Sequence, residues 1–520
     1  MSRYVLTFLL LSSFITLNAQ HQNILISTTA YPNEPSIIIN PKNTSQLYGG
    51  ANIASYYYSN DAGYTWEEGI LYSEQNGVWG DPVLICDTAG AFYFFHLSNP
   101  PQGNWIDRIV CQKTESFGGE WNDGSYMGLN GTKAQDKHWA AVDWKNNNIY
   151  VTWTQFDQYG TSNPDFKSNI MFSRSYDAGI SWSPAVQINE VSGDCVDDDN
   201  TTEGAVPCVG PDGQIYVSWA GPAGIVFDRS YDQGTTWLED DIFVSDFPGG
   251  WAYDIPGIYR ANGLPVTTCD TSNGPYRGTI YINWTDQRNG DDDTDVWLVK
   301  STDGGDTWSE PVRVNDDPPG KQQFFTWMTV DQTNGYLYFV YYDRRNYENT
   351  MTDVYMARST DGGSTFTNFQ ISEDPFLPTS NIFFGDYTNV TAHDNVIRPI
   401  WARCHIDQMS IWTAIINPSI VGIEEEVKDA IPISMEQSYP NPFAESAWIS
   451  FKLHQAAPVY LAVYDQLGRE IEVLVDNSQL QPGKYSYQFD SYGLNLSPGV
   501  YYFRLISNES VLRQKIVLTK

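Results

Sequence analysis

Basic residues are scarce in this sequence: 29 Lys and Arg stand against 63 Asp and Glu, a formal net charge of −34. A field of that sign repels nucleic acid and anionic membrane surfaces, which excludes polynucleotide-binding classes. Cysteine is sparse as well. The six present (Cys86, Cys111, Cys195, Cys208, Cys269, Cys404) show no Cys-x-x-Cys spacing, and six histidines form no His-x-x-x-His pattern, so a zinc site of the usual spacing is excluded. Helical periodicity is hard to find. Beyond the N-terminus no apolar run approaches the roughly 20 residues that cross a bilayer, so no integral membrane segment is expected once a leader is removed.

A leader is there to remove. Arg3, an apolar run from Tyr4 through Leu17 and the small Ala19 predict a signal peptide over 1–19. The export this implies makes disulfides permissible, and Cys195 with Cys208 is the pair expected, closing one acidic loop. The remaining composition, 15% aromatic with 41 Gly and 28 Pro, suits a large extracellular β protein.

An eight-residue phrase, Ser-x-Asp-x-Gly-x-Thr-Trp, recurs down the chain. Five copies are plain, at Ser59–Trp66, Ser175–Trp182, Ser230–Trp237, Ser301–Trp308 and Ser359–Phe366, and a worn sixth runs from Thr114 to Trp121. Their starts at 59, 114, 175, 230, 301 and 359 give steps of 55, 61, 55, 71 and 58, the size of one propeller blade with variable loops. Each phrase reads as a hairpin corner in which Asp accepts backbone N–H bonds, Gly takes a positive φ and Trp packs between sheets. Residues 386–413 form a further strand series without the phrase, so seven blades are expected, with six as the alternative. The early strand Asn23–Ser27 is placed to complete the last blade and remove an exposed edge.

The phrase is the Asp-box, and residues 20–417 resemble the Asp-box (BNR-repeat) proteins of the sialidase-like β-propeller family. A linker is expected over 418–434. After it, Tyr439-Pro-Asn-Pro-Phe443, Leu461–Arg469, Pro482-Gly-Lys-Tyr485, Ser497–Tyr502 and Lys515–Lys520 mark out a small β-sandwich over 435–520. Those phrases resemble the type A sorting domain of the type IX secretion system of Bacteroidetes. The resemblance implies export through that machinery, with the protein released or attached to the outer-membrane surface. The fold expected is therefore all-β: a sialidase-like propeller plus a C-terminal sandwich.

Strands of a blade alternate in direction, so the corners occupy one rim and the starts of the first strands occupy the opposite mouth, where propeller ligands bind. Asp136, Trp139, Glu203, Arg260 and Asp386-Tyr387 fall at such starts; Arg288, Arg344, Arg345 and Arg403 follow second strands. Carboxylates, arginines and aromatics together suit a glycan or glycoconjugate. What the family resemblance implies is sharper: Tyr387 as nucleophile, Glu203 as its base, Asp136 as acid/base, and three of the five arginines on a substrate carboxylate. The family's Arg-Ile-Pro phrase is missing, the matching stretch being Pro35-Ser-Ile-Ile-Ile39. Two function classes stay open, a glycoside hydrolase of the sialidase-like kind and a non-catalytic surface protein that binds glycan or protein at the same mouth. Asp286 with Arg288 and Asp343 with Arg344 read better as salt bridges between blades than as ligand contacts. No cofactor is required, although the acidic loops Asp194–Asp199 and Asp291–Asp295 carry oxygen ligands suited to calcium.

Overall fold

The computed structural model describes residues 21–405 and 408–418 and, in the C-terminal region, residues 433–519 apart from nine isolated positions. The expected leader and most of the expected linker lie outside the described residues. The chain divides into two compact units, Met1–Val421 and Gly422–Lys520. Every regular element among the described residues is a strand.

The first unit contains seven antiparallel four-stranded sheets. In chain order they span residues 36–70, 83–127, 134–187, 203–245, 266–313, 323–370 and 389–415. Sheet seven takes its fourth strand from Gln22–Ser27, which pairs with Gln408–Ile415 in the register Asn23↔Ala414 and Leu25↔Trp412. The start of the chain thereby covers the edge that its end would otherwise expose. The first strands of successive sheets touch in order, and that of sheet seven touches that of sheet one. All seven line one central cavity of about 440 Å³. The arrangement is that of a propeller.

The recurring corners explain how the sheets are held at fixed spacing. In the copy at 59–66, Ser59 Oγ donates to Asp61 Oδ1 at 2.8 Å and accepts from Gly63 N at 2.8 Å. Asp61 in turn accepts from Thr65 N at 2.9 Å and Thr65 Oγ1 at 2.6 Å. The same four bonds recur at Ser301, where Asp303 is held near pKa 2 by the side-chain and backbone donors of Thr307. The corner glycine sits at positive φ (79° at Gly234), and a Cβ there would lie 2.2 Å from Phe172 of the preceding sheet, so both conformation and close approach require Gly. Trp237 packs on that same Phe172, ring centroids 4.9 Å apart, and Trp308 packs on Phe227 at 5.0 Å. In the worn copy Thr114 stands at the serine position, and Gly118 N donates instead to Tyr48 Oη of sheet one at 2.9 Å.

At three corners the cation immediately before the serine reaches the next corner. Arg229 Nη1 donates to Gly304 O of the next corner at 2.6 Å, and Lys300 Nζ donates to Gly362 O at 2.8 Å. Arg174 reaches Thr235 Oγ1 at 2.9 Å. Arg398 closes the ring by donating from Nε to Ala62 O at 2.6 Å. Four of the corners are therefore gripped by a cation from the preceding sheet.

The cysteine expectation is corrected. None of the six cysteines is in a disulfide, and Cys195 is not bridged to Cys208. Cys195 lies in the loop before the strand Glu203–Val209, whereas Cys208 lies near that strand's far end. Five residues of extended chain from Glu203 carry Cys208 about 16 Å away from the mouth, far beyond disulfide reach.

In the second unit Ile433–Met435, Ser446–Leu453 and Gly483–Asp490 form one sheet, and Ala457–Asp465, Glu470–Leu480, Gly499–Ser507 and Ser510–Leu518 form another. Alternate residues of Ser446–Leu453 are buried, among them Ile449 and Phe451, and they share a core with Leu461, Phe489 and Phe503 of both sheets. Period-two burial between Pro-Gly turns is what the sequence pattern requires of a sandwich.

Replacing Ser301 with Ala removes a donor to Asp303 and strands the buried Gly305 N–H. We expect Ser301→Ala to destabilise the first unit by about 1–2 kcal/mol and Ser301→Thr by clearly less. Thermal unfolding followed by circular dichroism checks this; an unchanged midpoint in the Ala variant would show that the corner bonds carry no weight.

Candidate functional site

The mouth opposite the corners is shaped by backbone that leaves ordinary β geometry. The strand Ala134–Val142 loses register between Asp136 and Trp139, with Lys137 at φ 45°. Register also shifts between Glu203 and Val206, and between Phe324 and Trp327 where Phe325 has φ 51°. Ahead of sheets one and two, Glu34 and Asp81 also have φ 51°. Left-handed non-glycine residues cost about 1–2 kcal/mol each and persist where surrounding contacts impose them. Here they turn charged side chains inward that a regular pleat would point elsewhere.

The charges meet on Lys137. Its Nζ lies 2.7 Å from Asp386 Oδ2, 3.3 Å from Asp81 Oδ2 and 3.9 Å from Glu34 Oε1. Arg260 grips Asp386 from the other side, Nε donating to Oδ1 at 2.9 Å and Nη2 to Oδ2, and its Nη1 reaches Asp197 Oδ2 at 3.2 Å. Tyr159 also donates to Asp197 Oδ2, at 2.7 Å. The Asp386 carbonyl is fixed by Asn262 Nδ2 at 3.0 Å. Sheet three and the segments leading into sheets one, two, four, five and seven thus contribute to one knot.

Burial opposes ionisation of Asp386, but Lys137 and Arg260 outweigh it and hold the carboxyl well below the usual range. Asp136 is different. Burial, together with the charges of Asp81 and Asp197 and against the pull of Lys137, pushes it up to about 7. Glu203 is driven well above the normal range by burial, Asp197 and Asp136. Neither of its carboxylate oxygens has a hydrogen-bond donor, while its electrostatic neighbour Asp197 is itself an acceptor. The direction favours a protonated Glu203. His138 is buried and lowered to about 3, hence neutral.

A cleft of about 410 Å³ opens over this knot, lined by Glu34, Asp81, Asp136, Lys137 and Arg260. Aromatic side chains wall it. Trp79 and Trp105, 38% and 45% exposed, stand perpendicular with centroids 6.1 Å apart, and Trp105 meets Tyr159 edge-on at 5.7 Å. Phe383 faces them beneath the Arg260 guanidinium, 5.3 Å from its centroid.

Of the residues singled out in the sequence, Asp136, Glu203, Arg260, Asp386, Trp139 and Tyr387 belong to this region. Tyr387 is 5% exposed, its ring 5.9 Å from Trp139 and 6.2 Å from Trp327, and burial followed by Asp81 and Glu34 drives its phenol well above its ordinary range. No hydrogen bond joins it to Glu203. The other arginines have separate partners. Arg288 pairs with Asp286 at 2.6 Å and donates to Ser245 Oγ at 3.3 Å, tying sheet five to sheet four. Arg345 pairs with Asp343 at 2.8 Å and Asp316 at 2.5 Å. Arg403 donates to Pro375 O at 3.2 Å over the Trp412 ring.

One pairing is corrected: Asp343 bonds Arg345, not Arg344. Side chains two apart share a face of extended chain. Arg344 turns the other way, donating to Thr352 Oγ1 at 3.1 Å and stacking on Phe324. The acidic loops are likewise engaged internally: Asp194 with Thr201, Asp199 with Ala252 N, and Asp295 with Asn289, Asn315 and Arg313. Among the described residues no three His, Cys, Asp or Glu side chains are grouped to hold a metal ion.

Glu34, Lys137, Asp197 and the Trp79–Trp105 wall escaped sequence reasoning. A signal existed for the first: Glu34-Pro35 and Asp81-Pro82 repeat an acid-Pro step just before a first strand.

Fold and mouth together define a propeller with a polar, aromatic-walled cleft at one end of its axis. Residues 437–519 match the secretion system C-terminal sorting domain family. The chain is 28% identical over 223 residues to a xyloglucanase of Paenibacillus sp., a stretch that is 42% of this chain and 20% of that protein. It thus spans about a fifth of that relative's length. Among solved structures it is similar to Trypanosoma rangeli sialidase in complex with the inhibitor DANA, at 11% identity and TM-score 0.40 over 87% of this chain and 85% of that one. It is also similar to the GH93 α-L-arabinofuranosidase of Fusarium graminearum with arabinobiose, at 12% identity and TM-score 0.43 over 77% and 98%.

A raised folded-state pKa at Asp136 means that the native protein binds more protons than the unfolded chain between about pH 4 and 7. This contribution is fully present below pH 4 and is lost as pH rises through 7. Asp136→Asn removes the dependence. We expect the variant to gain thermal midpoint relative to the parent on going from pH 5 to pH 8; a pH-independent difference would contradict the raised pKa.

Proposed function

We propose that this protein is an exported, glycan-acting Asp-box propeller of seven blades, and that it cleaves glycosidic bonds in the cleft above Lys137. The observation that carries the reading is Asp136: a carboxyl poised near pKa 7 in a cleft that also presents the carboxylate of Asp81, 3.3 Å from Lys137. Glycoside hydrolysis needs one carboxylic acid that gives a proton to the leaving oxygen and one carboxylate that attacks or activates water. Asp136 suits the first role and Asp81, kept beside an ammonium, the second. Trp79 and Trp105 offer rings on which sugar faces stack.

Tyr387 and Glu203 serve this reading less directly. A phenol raised by burial and by neighbouring carboxylates resists ionisation, and Glu203 is not bonded to it as a base. We assign Tyr387 to packing against Trp139 and Trp327, and Asp81 with Asp197 to the field that keeps Asp136 protonated. The C-terminal match supports export by the type IX route and display at the outer-membrane surface.

The same burial favours a second reading, a surface protein that binds glycan without turning it over. Purified mature protein assayed against a panel of aryl glycosides, sialosides and plant polysaccharides separates the two. Hydrolysis is expected, with kcat reduced at least a hundredfold in Asp136→Asn and far less in Tyr387→Phe. A larger loss in Tyr387→Phe would restore the tyrosine-nucleophile mechanism. Saturable glycan binding without turnover would establish the second reading.

A further inference from the structure

Resting on the glycan reading, we propose that the mouth cleft selects uncharged saccharides and rejects those that carry a carboxylate. Two cations face the cleft, Lys137 and Arg260, and both are committed to Asp386, whose side chain is fully buried. A sugar carboxylate would have to displace that aspartate from a clamp that also holds its backbone carbonyl. Arg288 and Arg345 are bound to aspartates, Arg344 to Thr352 and Arg403 to Pro375 O. The arginine cluster that an anionic sugar requires is therefore not available at one point.

What the floor does offer is acceptors. Asp81 and Asp136 line the cleft, and beside them Glu34, 2% exposed, presents an Oε1 that accepts no hydrogen bond and stands 3.9 Å from Lys137. Sugar hydroxyls are donors and satisfy such oxygens; a second carboxylate brings no donor and adds like charge beside Asp81. The aromatic wall adds affinity that does not depend on the ligand's charge. At the scale of the chain, the net charge of −34 acts in the same direction on approach.

The test is binding by the Asp136→Asn protein, in which turnover is suppressed, to matched neutral and anionic pairs: lactose and 3′-sialyllactose or xylotetraose and its glucuronosyl derivative, which differ by one carboxylate, and galactotetraose and tetragalacturonate, which differ by four. At 20 mM NaCl the neutral member of a bound pair should bind at least tenfold more tightly, with the gap narrowing at 500 mM as screening shortens the field. Adding Asp81→Asn should shrink the gap at low salt. Equal or tighter binding of the anionic member would overturn the selectivity while leaving the glycan reading intact. Absence of binding by every member, with the thermal midpoint preserved, would overturn the glycan reading itself.

Discussion

The ammonium of Lys137 is the interaction on which the mouth depends. It sits among carboxyl groups drawn from sheets that are remote in sequence, and its 2.7 Å contact with Asp386 spans 249 positions of chain. Without a cation there, the converging first-strand starts would bring Glu34, Asp81, Asp136 and Asp386 together with only Arg260 to offset them, and buried like charges do not stay ionised. With it, the carboxyls sort: Asp386 is held ionised and Asp136 is left close to neutrality. That split between neighbouring acids is the arrangement acid–base chemistry uses.

The two ends of the ring divide the work. At the corner rim, serine, aspartate, glycine and a preceding Arg or Lys repeat one hydrogen-bonded joint around the axis. The corner serine, aspartate and glycine N–H satisfy one another locally, so those groups serve the joint. At the mouth the repeat is broken by bulges and left-handed residues, and the loops differ from sheet to sheet. Function can vary there while the joints keep the sheets in place.

The fold was legible to the extent that it repeats. The corner phrase marks six sheets, alternating aromatic strands fill them in, and Asn23–Ser27 could be placed on sheet seven because a propeller cannot leave an edge open. The second unit was legible from Pro-Gly turns and period-two apolar residues. Half of the mouth was legible as well, since Asp136, Asp386 and Arg260 sit at predictable strand starts. Lys137 was not, because its inward direction comes from a register break that no residue type announces. Arg344 and Arg345 were exchanged for the same reason: a one-residue step flips the face, and sequence fixes the face only where the pattern is hydrophobic. Asp197 was read as part of a calcium loop, yet its partner is Arg260, 63 residues away.

The central claim is that the ligand of this protein sits over the Lys137 knot. A crystal structure of the Asp136→Asn protein with a bound oligosaccharide tests it directly. The account predicts sugar density between Trp105 and Phe383 with a ring within hydrogen-bond distance of Asp81; density at the corner rim, with the mouth empty, would contradict it.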